Sequence, residues 1–204
     1  MRLFIALPIP DDIRDRIQIL QGGIPGARWV APENLHLTLR FLGDTERSTA
    51  EDVVAALSRL RIPAFPVSLS GLGVFGDKRR SRQVWAGTEG DLTALRHLQA
   101  KVEQAVQRAG FEPEHRKFYP HVTIARLKDA PSRRVETFLA DNGHFQTRSF
   151  PVEEFILYRS HLGSEGARYE PLAAFLMDGV DDLSDMPDDG TDESWEEIPG
   201  NVVD

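Results

Sequence analysis

The chain has 204 residues, 41% of them hydrophobic and 27% charged, and it contains no cysteine. This length allows one large domain or two closely joined lobes, and the lack of cysteine excludes disulfides, thiolate nucleophiles and thiolate metal sites. No stretch approaches the roughly 18 apolar residues that a membrane-spanning helix needs, and the N-terminal apolar run is too short for a signal peptide. We therefore expect a cytoplasmic protein without a membrane partner.

The formal net charge of −8 is unevenly distributed along the chain. Residues 178–204 contain 11 acidic residues and no lysine or arginine, whereas residues 1–177 contain 24 basic and 21 acidic residues. High charge with few core-forming residues is typical of disorder. The sequence thus predicts a folded region at 1–177 and a disordered acidic tail at 178–204. The mildly basic folded region is compatible with a phosphate-bearing partner.

Apolar patterning predicts a mixed order of strands and helices. Strands are expected at 2–9, 35–43, 65–75, 82–89, 121–127, 149–160 and 168–177. Helices are expected at 11–20, 48–60, 91–110 and 132–143. In the first helix, Ile13, Ile17 and Ile19 are expected to form the buried stripe. The mixed order, without a βαβ repeat, favours an α+β fold.

Two short segments, HLTLRFLG from His36 and HVTIARLK from His121, repeat one pattern. Each begins with histidine, an apolar residue, threonine and a second apolar residue, a pattern for which chance predicts only about 0.05 matches in a chain of this composition. Side chains alternate faces along a strand, so the histidine and threonine of each motif share a face. With one motif in each half, the sequence predicts two pseudo-symmetric lobes, each an antiparallel sheet backed by helices, with a cleft between them.

Two imidazoles and two hydroxyls converging on that cleft would suit an attacked phosphate. A neutral imidazole can take a proton from water, and an imidazolium can donate one to the leaving oxygen. Hydroxyls and an arginine would stabilise the phosphoryl oxygens. The alternatives are two unrelated structural histidines or a zinc site. Each motif offers only one metal ligand, so no metal is expected.

The chain between residues 1 and 177 resembles the 2H phosphoesterase superfamily, and within it the RNA 2′,3′-cyclic phosphodiesterases, also called 2′-5′ RNA ligases of the LigT type. The resemblance includes both motifs and extends to RLFIALPIP at the start, GLGVFG followed by VWAG, and LYRSHLGSEGARYEPLA near the end. These segments stand in the order in which the family has them. The acidic tail lies outside the resemblance.

The resemblance implies an enzyme that hydrolyses the 2′,3′-cyclic phosphate at an RNA end to a 2′-phosphomonoester. It implies that His36 is the proton donor to the 3′ oxygen and His121 the proton acceptor from water. Thr38 and Thr123 would bind the phosphate oxygens, and Arg126 would add a charged contact. The family is also able to run the reaction in reverse, as an ATP-independent 2′-5′ ligation. No cofactor is implied, and a monomer is expected.

The position of the arginine is a difficulty for this assignment. Five residues along an ideal strand separate Arg126 from His121, which places it on the opposite face unless the strand contains a bulge. Arg40, expected on the face of His36, is the simpler alternative.

Other functions remain open at this point. The site could act on 2′-5′-linked oligonucleotides or small cyclic nucleotides, or bind RNA ends without catalysis. The G-x-G-x-x-G match at Gly71–Gly76 is not a dinucleotide site, because a strand rather than a helix is expected after it. Its glycines are expected to allow a bend or a close backbone approach.

Overall fold

The computed structural model describes residues 1–77, 80–163 and 166–178. Within these ranges the strands are β1 (Arg2–Pro8), β2 (Ala27–Trp29), β3 (His36–Asp44), β4 (Phe65–Asp77), β5 (Arg80–Gly90), β6 (His121–Leu127), β7 (Phe150–Val152), β8 (Glu154–Gly163) and β9 (Gly166–Leu176). The helices are α1 (Asp11–Ile19), α2 (Arg47–Leu57), α3 (Leu92–Arg108) and α4 (Ser132–Asp141).

The four predicted helices are all present. The longest, α3, begins after Asp91, whose side chain accepts a hydrogen bond of 2.8 Å from the backbone N–H of Ala94, as expected of an N-cap. Helix α1 buries Ile13 and Ile17, but Ile19 is 84% exposed. The prediction for Ile19 was wrong because two residues beyond Ile17 lie on the opposite side of a helix. No helix in the described ranges is long and apolar enough to cross a membrane.

The strands form one curled antiparallel sheet. Their order is β7-β4-β5-β6-β3-β1-β8-β9, and β2 pairs with β6. The two halves of the sheet, each containing one H-x-T strand, meet where Leu37 of β3 pairs with Val122 of β6. The α+β fold with two antiparallel halves is thus confirmed, and the halves share a single sheet.

The helices pack against one face of this sheet. Leu37 and Leu39 of β3, and Val122 and Ile124 of β6, are at most 3% exposed and belong to the same apolar cluster as the buried residues of the helices. Because faces alternate, the histidines and threonines of the same strands project from the other face. The fold therefore leaves the polar side of both motifs outside the main core.

The folded region extends to the end of the described chain. Asp178 donates its backbone N–H to the carbonyl of Ile62 at 2.9 Å, and its carbonyl accepts from the N–H of Ala64 at 2.8 Å. The remainder of the predicted acidic tail, residues 179–204, lies outside the described residues.

Candidate active site

The two H-x-T motifs lie side by side in the middle of the sheet. The pair that joins their strands, Leu37 and Val122, is buried on the helical side. Continuing the antiparallel register by one residue in each direction places the histidine of each motif opposite the threonine of the other. His36 then lies opposite Thr123, and Thr38 opposite His121. All four side chains are half-buried, so the structure brings the four predicted groups together on one accessible face.

Each imidazole is oriented by the backbone two residues before it. Nδ1 of His36 lies 2.7 Å from the carbonyl oxygen of Asn34, and Nδ1 of His121 lies 2.7 Å from that of Tyr119. A carbonyl oxygen only accepts hydrogen bonds, so Nδ1 carries the hydrogen and Nε2 is left for chemistry in both rings. The Asn34 side chain in turn donates to the carbonyl of Ala167 at 2.8 Å, which ties this support to β9.

Aromatic rings surround His36. Its ring centroid lies 4.8 Å from Phe4 and 5.2 Å from Tyr169. Phe4 also stacks on Tyr158 at 5.2 Å, and together these rings restrict how the imidazole can tilt. Sequence reasoning missed these supports, because aromatic residues on β1, β8 and β9 give no local sign of which histidine they contact.

A second aromatic cluster surrounds His121. The imidazole lies 4.8 Å from Phe75 and 6.2 Å from Trp85. Trp85 packs across Gly73, where an added Cβ would lie 2.2 Å from an indole carbon. Gly73 belongs to the G-x-G-x-x-G match, which lies within β4 and is followed by β5. The group that approaches Gly73 is a side chain of the neighbouring strand and not, as was predicted, a backbone between lobes. The helix that a dinucleotide site requires does not follow.

Burial lowers the pKa of both catalytic candidates. The pKa of His36 falls from 6.5 to about 4, mainly through burial and further through the positive charges of Arg126 and His121, while the hydrogen bond to Asn34 raises it. Burial also lowers the pKa of His121, and its hydrogen bond to Tyr119 opposes that effect. Both rings are therefore mostly neutral at pH 7 without a ligand. An anion beside them would favour the charged form and raise the pKa.

The two threonine hydroxyls are available to a ligand. Thr38 and Thr123 are half-buried on the histidine face. Among the described hydrogen bonds, neither hydroxyl has a partner. Each can donate its hydrogen to an oxygen of a bound anion without giving up an existing contact.

A bulge in β6 places Arg126 on the histidine face. Two successive residues of β5 pair with Ala125 and with Thr123. Ile124, which lies between these two, has no partner on β5 and is therefore an extra residue in β6. The extra residue reverses the alternation of faces. Ile124 and Ala125 are both buried, and Arg126 is exposed. The bulge that the assignment of Arg126 required is present, and Arg126 shares the face of His121.

A matching bulge in β3 moves Arg40 away from His36. Two successive residues of β1 pair with Arg40 and with Thr38, so Leu39, which lies between these two, is the extra residue in β3. Arg40 lies opposite the fully buried Ile5, on the helical side of the sheet. The expectation that Arg40 shares the face of His36 was wrong, because simple alternation does not anticipate a bulge.

Arg40 is instead bound by carboxylates. Its Nε lies 2.7 Å from Oε2 of Glu103 on α3, in ion-pair rather than hydrogen-bond geometry, and one terminal nitrogen lies 3.7 Å from Glu114. Only 11% of the Arg40 side chain is exposed. This guanidinium joins α3 to the sheet and is not free to bind a ligand.

The other histidines do not join the site. His97, His115 and His144 are exposed on other segments, and Nε2 of His161 lies 2.6 Å from a carboxylate oxygen of Glu170 on the β8–β9 hairpin. In the part of the chain that the structure describes, no group of three or more His, Asp or Glu side chains is placed to hold a metal ion.

Two surface grooves also lie away from the histidines. One of about 700 Å³ lies between α2 and α3, and one of about 280 Å³ lies beside α1. The histidine face is not part of either groove.

Anion binding is expected to raise the pKa of His36. NMR of the imidazole should show a titration near pH 4 in the free protein and a clearly higher value with saturating sulfate, because negative charge favours the imidazolium. The exposed His97 is the internal control. If sulfate binds beside His121 and the titration of His36 does not move, the two rings do not share one anion site.

Comparisons with known proteins agree with this geometry. A family model described as LigT like Phosphoesterase matches residues 7–85 and 89–169. Curated proteins named RNA 2′,3′-cyclic phosphodiesterase from Aeropyrum pernix, Thermus thermophilus and Escherichia coli are 35%, 36% and 33% identical to the chain. The matches cover 78%, 88% and 86% of this chain and 90%, 91% and 96% of those proteins.

Solved structures show the same fold. A crystal structure from Thermus thermophilus superposes with a TM-score of 0.73 at 30% identity, covering 88% of this chain and 100% of the other. Escherichia coli LigT in complex with 3′-AMP gives a TM-score of 0.71 at 30% identity, covering 86% of this chain and 97% of the other. The chain therefore belongs to the LigT-like phosphoesterase family, and it is a phosphoesterase of the two-histidine kind that its motifs predict.

Proposed function

We propose that this protein hydrolyses the 2′,3′-cyclic phosphate at the end of an RNA strand to a 2′-phosphomonoester. The observation that carries the proposal is the pairing of the two H-x-T motifs across β3 and β6, which presents two oriented imidazoles on one face. The activity named for the curated relatives supports the same substrate.

In this proposal His121 accepts a proton from water and His36 donates a proton to the leaving 3′ oxygen. The water oxygen bonds to phosphorus as the P–O3′ bond breaks, leaving a 2′-phosphate and a free 3′ hydroxyl. Both transfers use Nε2, because Nδ1 of each ring donates to a carbonyl. If the 5′ hydroxyl of a second RNA strand takes the place of water, the same displacement forms a 2′-5′ bond between the two strands as the P–O3′ bond breaks.

The phosphate oxygens would be held by Thr38, Thr123 and Arg126. The hydroxyls donate to the non-bridging oxygens from opposite sides, since each threonine lies across from a histidine. Arg126 supplies full positive charge where negative charge accumulates. Its charge already lowers the pKa of His36, which supports its being near the reacting groups.

The acid role of His36 depends on the charge of the substrate. With a pKa of about 4 the ring is neutral at pH 7 in the free protein and cannot donate from the imidazolium form. The cyclic phosphate is an anion and would offset the charge of Arg126 once bound, raising the pKa of His36. His121 needs no such change, because a lowered pKa suits a base.

Exposed aromatic side chains on the histidine face support a nucleotide substrate. Tyr119 is 53% exposed and packs against Phe75 and Trp85 near His121. Phe41 is 55% exposed and lies 6.0 Å from Phe4 near His36. Single-stranded RNA is commonly bound by stacking its bases on such rings.

The direct test is incubation with a short RNA that ends in a 2′,3′-cyclic phosphate, followed by ³¹P NMR of the product with and without EDTA. We expect a 2′-phosphomonoester in both conditions. A 3′-phosphate product would reverse the assignment of the leaving oxygen, and activity restored to the chelated protein only by zinc would contradict the metal-free mechanism. If the RNA is bound but its cyclic phosphate is not hydrolysed, the protein binds RNA ends without catalysis. Cleavage restricted to 2′-5′-linked oligonucleotides or small cyclic nucleotides would redirect the substrate assignment.

The proposal also includes a monomer in the cytoplasm. A monomer is supported by a site whose two motifs lie on adjacent strands of one chain, and a reducing compartment by the lack of cysteine. Light scattering on the purified protein would show a dimer if a second chain were needed.

A further inference from the structure

We propose that Arg28 binds the phosphodiester that precedes the terminal nucleotide of the RNA, so that Arg28 and Arg126 hold successive phosphates of one strand. This inference rests on the proposed function, because it is an RNA end that supplies a second phosphate beside the cyclic one. The ligand class is therefore a single-stranded RNA backbone, and Arg28 would distinguish an oligonucleotide from a mononucleotide.

The sheet register places Arg28 on the histidine face. Arg28 is the middle residue of β2 and pairs directly with Arg126 of β6. Directly opposed residues project from the same face, with Cβ atoms about 4.5–5.5 Å apart. Ala27 and Trp29 are partly buried and Arg28 is exposed, so β2 turns its one charged residue toward the side that carries the site.

The two arginines form a positive pair that has no counterion among the residues the structure describes. Like charges directly opposite each other in a sheet are destabilising. Two other arginines do have counterions: Arg40 contacts Glu103, and the more exposed Arg148 lies 2.7 Å from Asp12. In the described ranges no carboxylate forms an ion pair with Arg28 or Arg126. Phosphate is the anion that such a pair of guanidiniums binds well.

Arg28 is positioned for a phosphate other than the reacting one. Along the same edge of β6, His36 lies opposite Thr123, whereas Arg28 lies opposite Arg126, three residues further on. The charge of Arg126, and not that of Arg28, contributes to the low pKa of His36, in agreement with this spacing. Gln83 of β5 pairs with Arg126 from the other side. Arg28, Arg126 and Gln83 thus form a row of hydrogen-bond donors across three adjacent strands.

The backbone that carries Arg28 is fixed before any ligand binds. The ring of Trp29 lies 5.6 Å from Phe138 of α4. Just beyond β2, the N–H of Val30 donates to the carbonyl of Ile124 at 2.9 Å. A short strand held in this way lowers the ordering cost of binding through Arg28.

The test compares Arg28→Gln with Arg96→Gln, an exposed arginine on α3. Hydrolysis of a nucleoside 2′,3′-cyclic monophosphate and of a trinucleotide with the same end is measured across a salt series. Anisotropy measures binding of a labelled trinucleotide ending in a 3′-phosphate. We expect Arg28→Gln to raise KM and Kd for the trinucleotides, by a factor about 3- to 10-fold larger than the factor by which it raises KM for the mononucleotide. We also expect the slope of log affinity for the trinucleotide against log salt concentration to become smaller by about 0.7.

The control and rescue variants separate this role from a structural one. Arg28→Lys should restore most of the salt slope, Arg96→Gln should match the wild type, and the melting temperature of Arg28→Gln should not fall, since a like-charge contact is removed. Equal effects of Arg28→Gln on both substrates, or a trinucleotide Kd unchanged from wild type, would overturn the proposal. If the wild type hydrolyses neither substrate, the proposed function fails, and the anisotropy series still decides whether Arg28 binds a phosphodiester.

Discussion

His36→Ala and His121→Ala are each expected to lower kcat on an RNA 2′,3′-cyclic phosphate by about 10²- to 10⁴-fold, the usual contribution of a general acid or base. Each variant removes one of the two proton transfers while leaving Arg126 and the other motif in place. His97→Ala, on the exposed side of α3, is the matched control and should retain wild-type activity. The measurement is single-turnover hydrolysis at saturating substrate.

The double variant sharpens this prediction. The effects of removing two groups that act in the same step are not additive. The double variant should therefore lose a much smaller factor in kcat than the product of the factors lost by the two single variants. His36→Gln and His121→Gln serve as second variants, because alanine would leave a gap in each aromatic cluster. Either single variant that keeps activity within about tenfold of wild type would contradict acid–base catalysis by that ring.

Arg126→Gln and Arg40→Gln are expected to have opposite phenotypes. Loss of the Arg126 charge should lower kcat/KM by about 10²- to 10³-fold, as for removal of a group that stabilises developing negative charge. The fold should be unaffected, because Arg126 is exposed and no ion pair holds it within the described residues.

Arg40→Gln should act on stability instead. It leaves Glu103, whose side chain is 14% exposed, without its cation, at a cost of roughly 2–4 kcal/mol in the free energy of unfolding. For a domain of this size that corresponds to a fall of about 4–16 °C in melting temperature. Thermal unfolding and steady-state kinetics, measured on both Arg126→Gln and Arg40→Gln, check these two predictions. A large fall in kcat/KM of Arg40→Gln, at a temperature where the variant is fully folded, would indicate that Arg40 binds the phosphate after all.

The site could be predicted from sequence where it follows strict alternation. His36 and Thr38, like His121 and Thr123, share a face because they are two residues apart on a strand, and this needs no tertiary information. The arginine could not be placed in this way. The bulge at Ile124 depends on how β6 pairs with β5, and the only local sign was the adjacent apolar pair of Ile124 and Ala125.

The two bulges also relate the halves of the site. In each motif the extra residue lies shortly after the threonine, so the residue five positions after the histidine returns to the histidine face. In β6 that residue is Arg126, and in β3 it is Phe41. The two halves thus share a backbone plan but differ in the side chain presented, which gives the site one charged and one aromatic flank.

Element types were predictable, but their assembly was not. The helices follow from apolar spacing and capping, as Asp91 and the buried positions of α3 show. The joining of two lobes into one sheet rests on pairings between segments distant in sequence, such as that of Leu37 with Val122, 85 residues apart, and no local pattern encodes such a pairing. The aromatic rings around each histidine likewise come from strands distant in sequence.

The most direct test of the assigned roles uses a nucleoside phosphodiester whose leaving group is 4-nitrophenolate, which departs without a proton. We expect His36→Ala to recover most of its lost activity on this substrate relative to the natural one, whereas His121→Ala should remain defective because water must still be activated. Recovery by His121→Ala instead, with His36→Ala still defective, would contradict these assignments and make His121 the acid and His36 the base.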